Sequence, residues 1–210
     1  MNASQENARY FLYGAVATKP SQPTSDTKAW MKNILDRIAF RLGYKAKLNY
    51  KNYEAPYTYN RGDHSIIVAT TQQLKRLNPQ ANIMAVNWED LNSSRLSSAD
   101  KVLVCGSGYF FPNPEGVFPR RLHQDLQAIE QSGAELHFLG VGYNYLLDWR
   151  PSRESRLPKE SVDLLRRLLT RAATVTVRDE NTRKFLANYT DRDIAVIGDP
   201  ALFLDTRSPV

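Results

Sequence analysis

The sequence predicts an α/β fold of Rossmann type: a doubly wound, mostly parallel sheet with helices on both faces. Three observations predict it. Short, almost continuously apolar runs recur along the chain, the pattern of strands buried on both faces. Segments of helical period lie between them, so strand and helix alternate. Several runs end at glycine or aspartate, where a strand turns sharply into the next element.

In order, ARYFLYGAV (Ala8 to Val16) reads as the first strand. A helix is expected next, capped by Ser25 or Asp26 and running to about Leu42, with Gly43 at its C-terminal cap. Trp30, Ile34, Ile38 and Leu42 recur every four residues and give it an apolar face. A Tyr-rich connector, YKAKLNYKNYEAPYTYN, leads to Arg61-Gly62-Asp63, where Gly62 permits a turn and Asp63 opens a helix. That helix, HSIIVATTQQLKRL, has Ile66, Thr70, Leu74 and Leu77 on one side.

NIMAVN, KVLVCG, ELHFLGVG, TVTVRD and IAVIGD follow as strands. LHQDLQAIEQSG, ESVDLLRRLLTRA and ENTRKFLANY are the intervening helices; Glu160 or Ser161 precedes the second, whose leucines are Leu164, Leu165, Leu168 and Leu169. SQPTSD (Ser21 to Asp26) and RPSRESRLPKE (Arg150 to Glu160) read as loops.

Composition narrows the function. With 42% hydrophobic and 24% charged residues, the 210-residue chain can build a true core, as one large domain or two small ones. The N-terminus lacks the pattern of a secretory signal, and no apolar run reaches the length of a membrane span. Cys105 is the single cysteine, so no internal disulfide framework exists. A cytoplasmic setting is expected, which counts against reading Arg61-Gly62-Asp63 as an adhesion signal.

The net charge of +6 is concentrated. Between Asp26 and Lys51 stand Lys28, Lys32, Arg37, Arg41, Lys45, Lys47 and Lys51 against Asp26 and Asp36 alone. An anionic partner is implied: nucleic acid, a lipid surface or a phosphorylated substrate.

In an open parallel sheet, ligands bind beyond the C-terminal ends of the strands. Five segments place distinctive residues there: Asn60-Arg61-Gly62-Asp63, Gly106-Ser107-Gly108, Gly140-Val141-Gly142-Tyr143-Asn144, Arg178-Asp179 and Gly198-Asp199-Pro200. Each has a plain structural reading. Asp63 serves as a helix N-cap, the glycines as tight turns, Arg178 and Asp179 as a surface pair. Their coincidence points to an anionic small molecule. Glycines open access to backbone amides, arginines make forked contacts to carboxylate or phosphate, and Asp63 and Asp179 are available for acid–base work. His64 beside Asp63 is a candidate proton carrier, while His137 in an apolar run reads as structural. Cys105 reads as a nucleophile or, more often for such a residue, a small buried hydrophobe. No metal-ligand spacing, dinucleotide fingerprint, nucleophile elbow or Walker motif occurs.

Taken in order, these segments resemble the polysaccharide pyruvyl transferase family. Asn60-Arg61-Gly62-Asp63 matches its N-x-G-D turn, VLVCGSG its glycine-ended strand with Ser107 in place of a usual glycine, and LGVGYN its G-x-G strand end. Thr176-Val177-Arg178-Asp179-Glu180-Asn181-Thr182 matches an [ST]-V-R-D segment leading into a helix, and Asp199-Pro200-Ala201 a D-P-A segment.

The resemblance implies transfer of pyruvate from phosphoenolpyruvate to a pair of sugar hydroxyls, forming a ketal in exopolysaccharide or cell-surface glycan synthesis, with no cofactor. Arg178 is expected on the donor anion and Asp63 or Asp179 in proton transfer. Asn60, Gly62, Gly106, Ser107, Gly108, Gly142 and Asn144 are expected to shape the pocket. The acceptor would be a sugar or lipid-linked glycan, allowing peripheral membrane contact.

The family fold is GT-B-like, with two Rossmann-like domains around a cleft. By that standard residues 1–58 are a basic, Tyr-rich N-terminal segment, 59–204 the first Rossmann-like domain, and 205–210 a tail where a second would begin. Either the chain is a truncated or split member, or the second half comes from another polypeptide, and activity of this chain alone is not expected. Two other classes compete: a non-catalytic Rossmann scaffold, and a polyanion-binding module using residues 26–51. Of its partners, nucleic acid is the least expected.

Overall fold

The computed structural model describes residues 9–14, 61–86, 91, 93–113, 115–144 and 157–207. The helix expected from Asp26 to Leu42, the basic stretch, the Tyr-rich connector with Asn60, the SQPTSD loop and residues 150–156 lie outside the described residues. All described residues belong to one unit, built from residues 1–16 and 60–210.

Its frame is one six-stranded, all-parallel sheet: β1 (Arg9–Tyr13), β2 (Asn82–Val86), β3 (Lys101–Cys105), β4 (Glu135–Val141), β5 (Ala172–Val177) and β6 (Ala195–Val196). The spatial order is β2-β1-β3-β4-β5-β6. The chain therefore leaves β1 in one direction and returns to β3 on its other side. The gap between the ends of β1 and β3 is the switch point at which doubly wound sheets receive ligands.

Among the described residues four helices accompany the sheet: α1 (Arg61–Leu77), α2 (Arg120–Ser132), α3 (Lys159–Arg171) and α4 (Glu180–Leu186). Side chains alternate faces along a strand, and β3 shows why its run is apolar throughout. Val102 and Val104 join the core with Leu122, Leu126 and Ile129 of α2 and Leu165 and Leu168 of α3. Leu103 and Cys105 face the other way, against Ile66 and Ile67 of α1. Each fully buried leucine contributes roughly 2 kcal/mol.

Three local expectations are corrected. Helix α1 begins at Arg61, so Gly62 is helical and outside the positive-φ glycines, and Asp63 lies in the first turn where it favours the helix dipole. Leu77, expected on its apolar side, is the helix's last residue and is 85% exposed. Helix α3 starts at Lys159 with Pro158 as N-cap; Ser161 is inside it, buried, its Oγ accepting from Phe118 N–H at 3.4 Å.

Candidate active site

The ends of β3, β4 and β5 are stitched together beyond the strands. Gly106 N–H donates to Leu139 O at 2.7 Å, Gly142 N–H to Ser107 O at 2.7 Å, and Arg178 N–H to Val141 O at 3.0 Å. Phe110 N–H reaches Gly142 O at 3.3 Å, and Asn144 N–H reaches Phe110 O at 3.0 Å. Four of the five motif segments therefore share the C-terminal edge, since the segment after β6 also begins there.

The turn after β3 requires unusual backbone. Gly106 and Ser107 both adopt left-handed angles, φ 51° and 57°. Glycine takes this conformation freely, but serine does so at a cost. A methyl group on Gly106 would also lie 2.8 Å from Ile66 Cδ1 of α1. Through Ile66 the first turns of α1, with Asp63 half-buried and His64 exposed, sit against this end of the sheet.

Strand β4 carries a register shift between Phe138 and Val141. Thr176 Oγ1 satisfies it, accepting from Gly140 N–H and donating to Phe138 O, both at 3.0 Å. Such irregularities re-aim a strand end.

Past the shift, the Arg178 guanidinium lies directly over Gly142, whose missing Cβ would stand 2.4 Å from Nε and 2.5 Å from Cζ. Arg178 Nη2 donates to Asn144 Oδ1 at 2.5 Å, and Nε to Asp179 Oδ2 at 3.2 Å. Asn144 is in turn flat against Gly108, where a Cβ would fall 1.9 Å from Nδ2. Two glycines thus make room for one arginine and the amide that holds it. Among the described residues Nη1 makes no hydrogen bond, and the Arg178 side chain keeps 29% exposure.

Asp179 is heavily engaged. Its Oδ1 caps α4 by accepting from Thr182 N–H at 2.8 Å, and the Thr182 hydroxyl stands 3.1 Å from both carboxylate oxygens. Thr182 Oγ1 also accepts from Tyr143 N–H at 3.0 Å, so one buried hydroxyl joins the β4 end to the α4 cap. Thr182→Val keeps the volume but leaves that amide without its acceptor. The expected loss is about 1–3 kcal/mol in urea denaturation at unchanged m-value.

Gly106, Ser107, Gly108, Gly142, Asn144, Arg178 and Asp179 are thus contiguous. Asp63 and His64 share the edge through α1, and no hydrogen bond or ion pair among the described residues joins His64 to Arg178. Cys105 is buried beneath, its thiol pushed up to about 12 by burial, which makes it a packing residue rather than a nucleophile. His137 Nδ1 meets Thr174 Oγ1 at 3.2 Å; burial lowers its pKa, Lys101 adds to that, and Glu135 opposes.

One cluster escaped the sequence reading: Tyr13, Tyr109 and Asp125, all buried, with Arg121 beside them. The signal was present, since Asp125 falls on the buried side of α2 with Leu122, Leu126 and Ile129.

Fold and edge together define a Rossmann-type α/β protein with a partly buried arginine at the ligand-receiving ends of its strands. The model of the polysaccharide pyruvyl transferase family matches residues 60–210, and the chain belongs to that family. No curated protein and no solved structure matches it. Among the described residues no helix is long and apolar enough to cross a membrane, and no His, Cys, Asp and Glu group could hold a metal ion.

Proposed function

We propose that the C-terminal edge of β3–β5 binds phosphoenolpyruvate, and that the chain takes part in transferring its pyruvyl group to two hydroxyls of a sugar as a ketal. The acceptor is a sugar or lipid-linked glycan of exopolysaccharide or cell-surface synthesis. One observation carries the reading: the Arg178 guanidinium, oriented by Asn144 and Asp179 over the bare Gly142, with Nη1 left for a ligand among the described residues.

The donor has a carboxylate and a phosphate, each suited to a forked cationic contact. The reaction needs an acid to protonate the double bond at the methylene carbon, which leaves an oxocarbenium-like centre. A base removes the proton of the attacking hydroxyl, phosphate departs, and the second hydroxyl closes the ketal as its proton passes to the released phosphate. Asp179, held by Arg178 and capping α4, is suited to orienting the arginine. Proton transfer then falls to Asp63 and His64 in the first turn of α1.

Calorimetric titration tests the reading, with phosphoenolpyruvate, pyruvate and inorganic phosphate compared on the same chain. Phosphoenolpyruvate is expected to bind at least about tenfold more tightly than either fragment, because only it engages both anionic contacts. Binding no tighter than inorganic phosphate would remove it as the donor.

A further inference from the structure

Helix α2 carries one residue that its apolar face does not require. Asp125 is 2% exposed among Leu122, Leu126 and Ile129. Its oxygens accept from two buried phenols: Tyr13 Oη donates to Oδ1 at 2.7 Å, and Tyr109 Oη to Oδ2 at 3.0 Å. Tyr13 is the last residue of β1, and Tyr109 is the first residue after Gly106–Gly108. One carboxylate therefore ties both strand ends flanking the switch point to the helix beneath them. Arg121, one turn earlier on α2, lies 5.5 Å from the Tyr109 ring centroid. Apolar groups of similar volume often serve stability as well as buried charges do, so packing alone does not select aspartate here.

We propose that Asp125 is a positioning residue for the candidate site: by holding Tyr13 and Tyr109 it sets the left-handed Gly106–Ser107 turn against which the anionic donor rests. The donor part of this statement rests on the function proposed above; the loop part does not.

The tie is sensitive to protonation. Burial pushes the Asp125 carboxyl up to about 6, against the opposing pull of the two phenol hydrogen bonds and of Arg121. The titratable and charged groups bearing on it are Tyr13 from β1, Tyr109 from the loop after β3, and Arg121 from α2 itself. From β4 the ring beside Tyr109 is Phe138, which carries no charge. Above that pH the ionised carboxylate accepts both phenols; below it one oxygen becomes a donor and a phenol bond must reverse.

Stability runs the other way. The folded-state value lies above the ordinary 3.8, so this group's stabilising contribution is full below about pH 4 and is lost as pH rises through about 6.

The test follows the backbone amide resonances of Gly106, Ser107, Gly108 and Tyr109 in the intact chain from about pH 4.5 to about pH 8. They are expected to shift with a midpoint near 6 in the wild type, to lose that step in Asp125→Asn, and to regain one in Asp125→Glu. Asp125→Asn keeps size and hydrogen-bonding capacity, which guards against unfolding. Phosphoenolpyruvate affinity is read in parallel. A phosphate monoester's own second ionisation, near pH 6, acts equally in every variant, so the difference between variants is the readout. An additional acid-side weakening of roughly fivefold is expected in the wild type and not in Asp125→Asn, which binds more weakly throughout.

No midpoint at the loop in the wild type, or the same midpoint in Asp125→Asn, overturns the proposal. If no phosphoenolpyruvate binds at any pH, the donor fails and the loop resonances alone decide the positioning role.

Discussion

Arg178→Ala is expected to weaken the proposed phosphoenolpyruvate binding by about 3 kcal/mol, roughly a hundredfold, with little change in thermal stability. The guanidinium is held by two polar side chains, Asn144 and Asp179, in an orientation that presents a forked cation to the edge. Removing it deletes the cation and leaves Asp179 Oδ2 with the Thr182 hydroxyl, 3.1 Å away, as its remaining hydrogen-bond partner. The cap of α4 survives, because Thr182 N–H bonds to the other oxygen, Oδ1. Arg178→Lys recovers little of the loss. An ammonium is a point charge and cannot contact Asn144, Asp179 and a ligand through one rigid plane. Calorimetric titration beside a thermal melt separates the two effects. An alanine variant that binds like the wild type takes Arg178 out of the site.

Gly142→Ala reproduces most of that loss without removing any functional group. The added Cβ would stand 2.4 Å from Nε, well inside contact distance. Gly142 is not among the positive-φ residues, so alanine brings no backbone strain. What yields is the guanidinium, the far end of a flexible side chain, which leaves Asn144 and loses its aim. The expected result is a fall in phosphoenolpyruvate affinity of at least about tenfold with a melting temperature within about 3 °C of the wild type. Gly142→Ala added to Arg178→Ala then costs nothing further, the non-additivity of two changes acting through one group. Additive losses in that double variant would mean that Gly142 acts on binding by some other route.

Much of this edge was legible from the order of residues. Strand β3 reads as apolar throughout because a buried parallel strand packs both faces, and Val102 and Leu103 do so on opposite sides. Arg178 and Asp179 were marked by their place at a strand end, and Gly106–Gly108 by the glycines themselves. The errors have local causes. Asp63 and Gly62 look like cap and turn by propensity, yet the helix starts at Arg61 and absorbs both. Pro158 took the N-cap position assigned to Glu160 or Ser161, since proline's fixed φ suits a helix entry and Ser161 was needed in the core.

Periodicity and turn chemistry are short-range, so the sequence by itself determined the alternation of strands and helices, the parallel sheet and the family motifs in their order. Contacts between distant residues are not written in any local window, and only the tertiary structure decided those. It set the reversal of strand order that opens the edge between β1 and β3. It laid Arg178 on Gly142 and Asn144 on Gly108, pairs separated by 36 residues in each case. It also turned Asp125, an acid on an apolar face, into the knot joining Tyr13 and Tyr109, because a carboxylate buried that deeply must find its donors wherever the fold brings them.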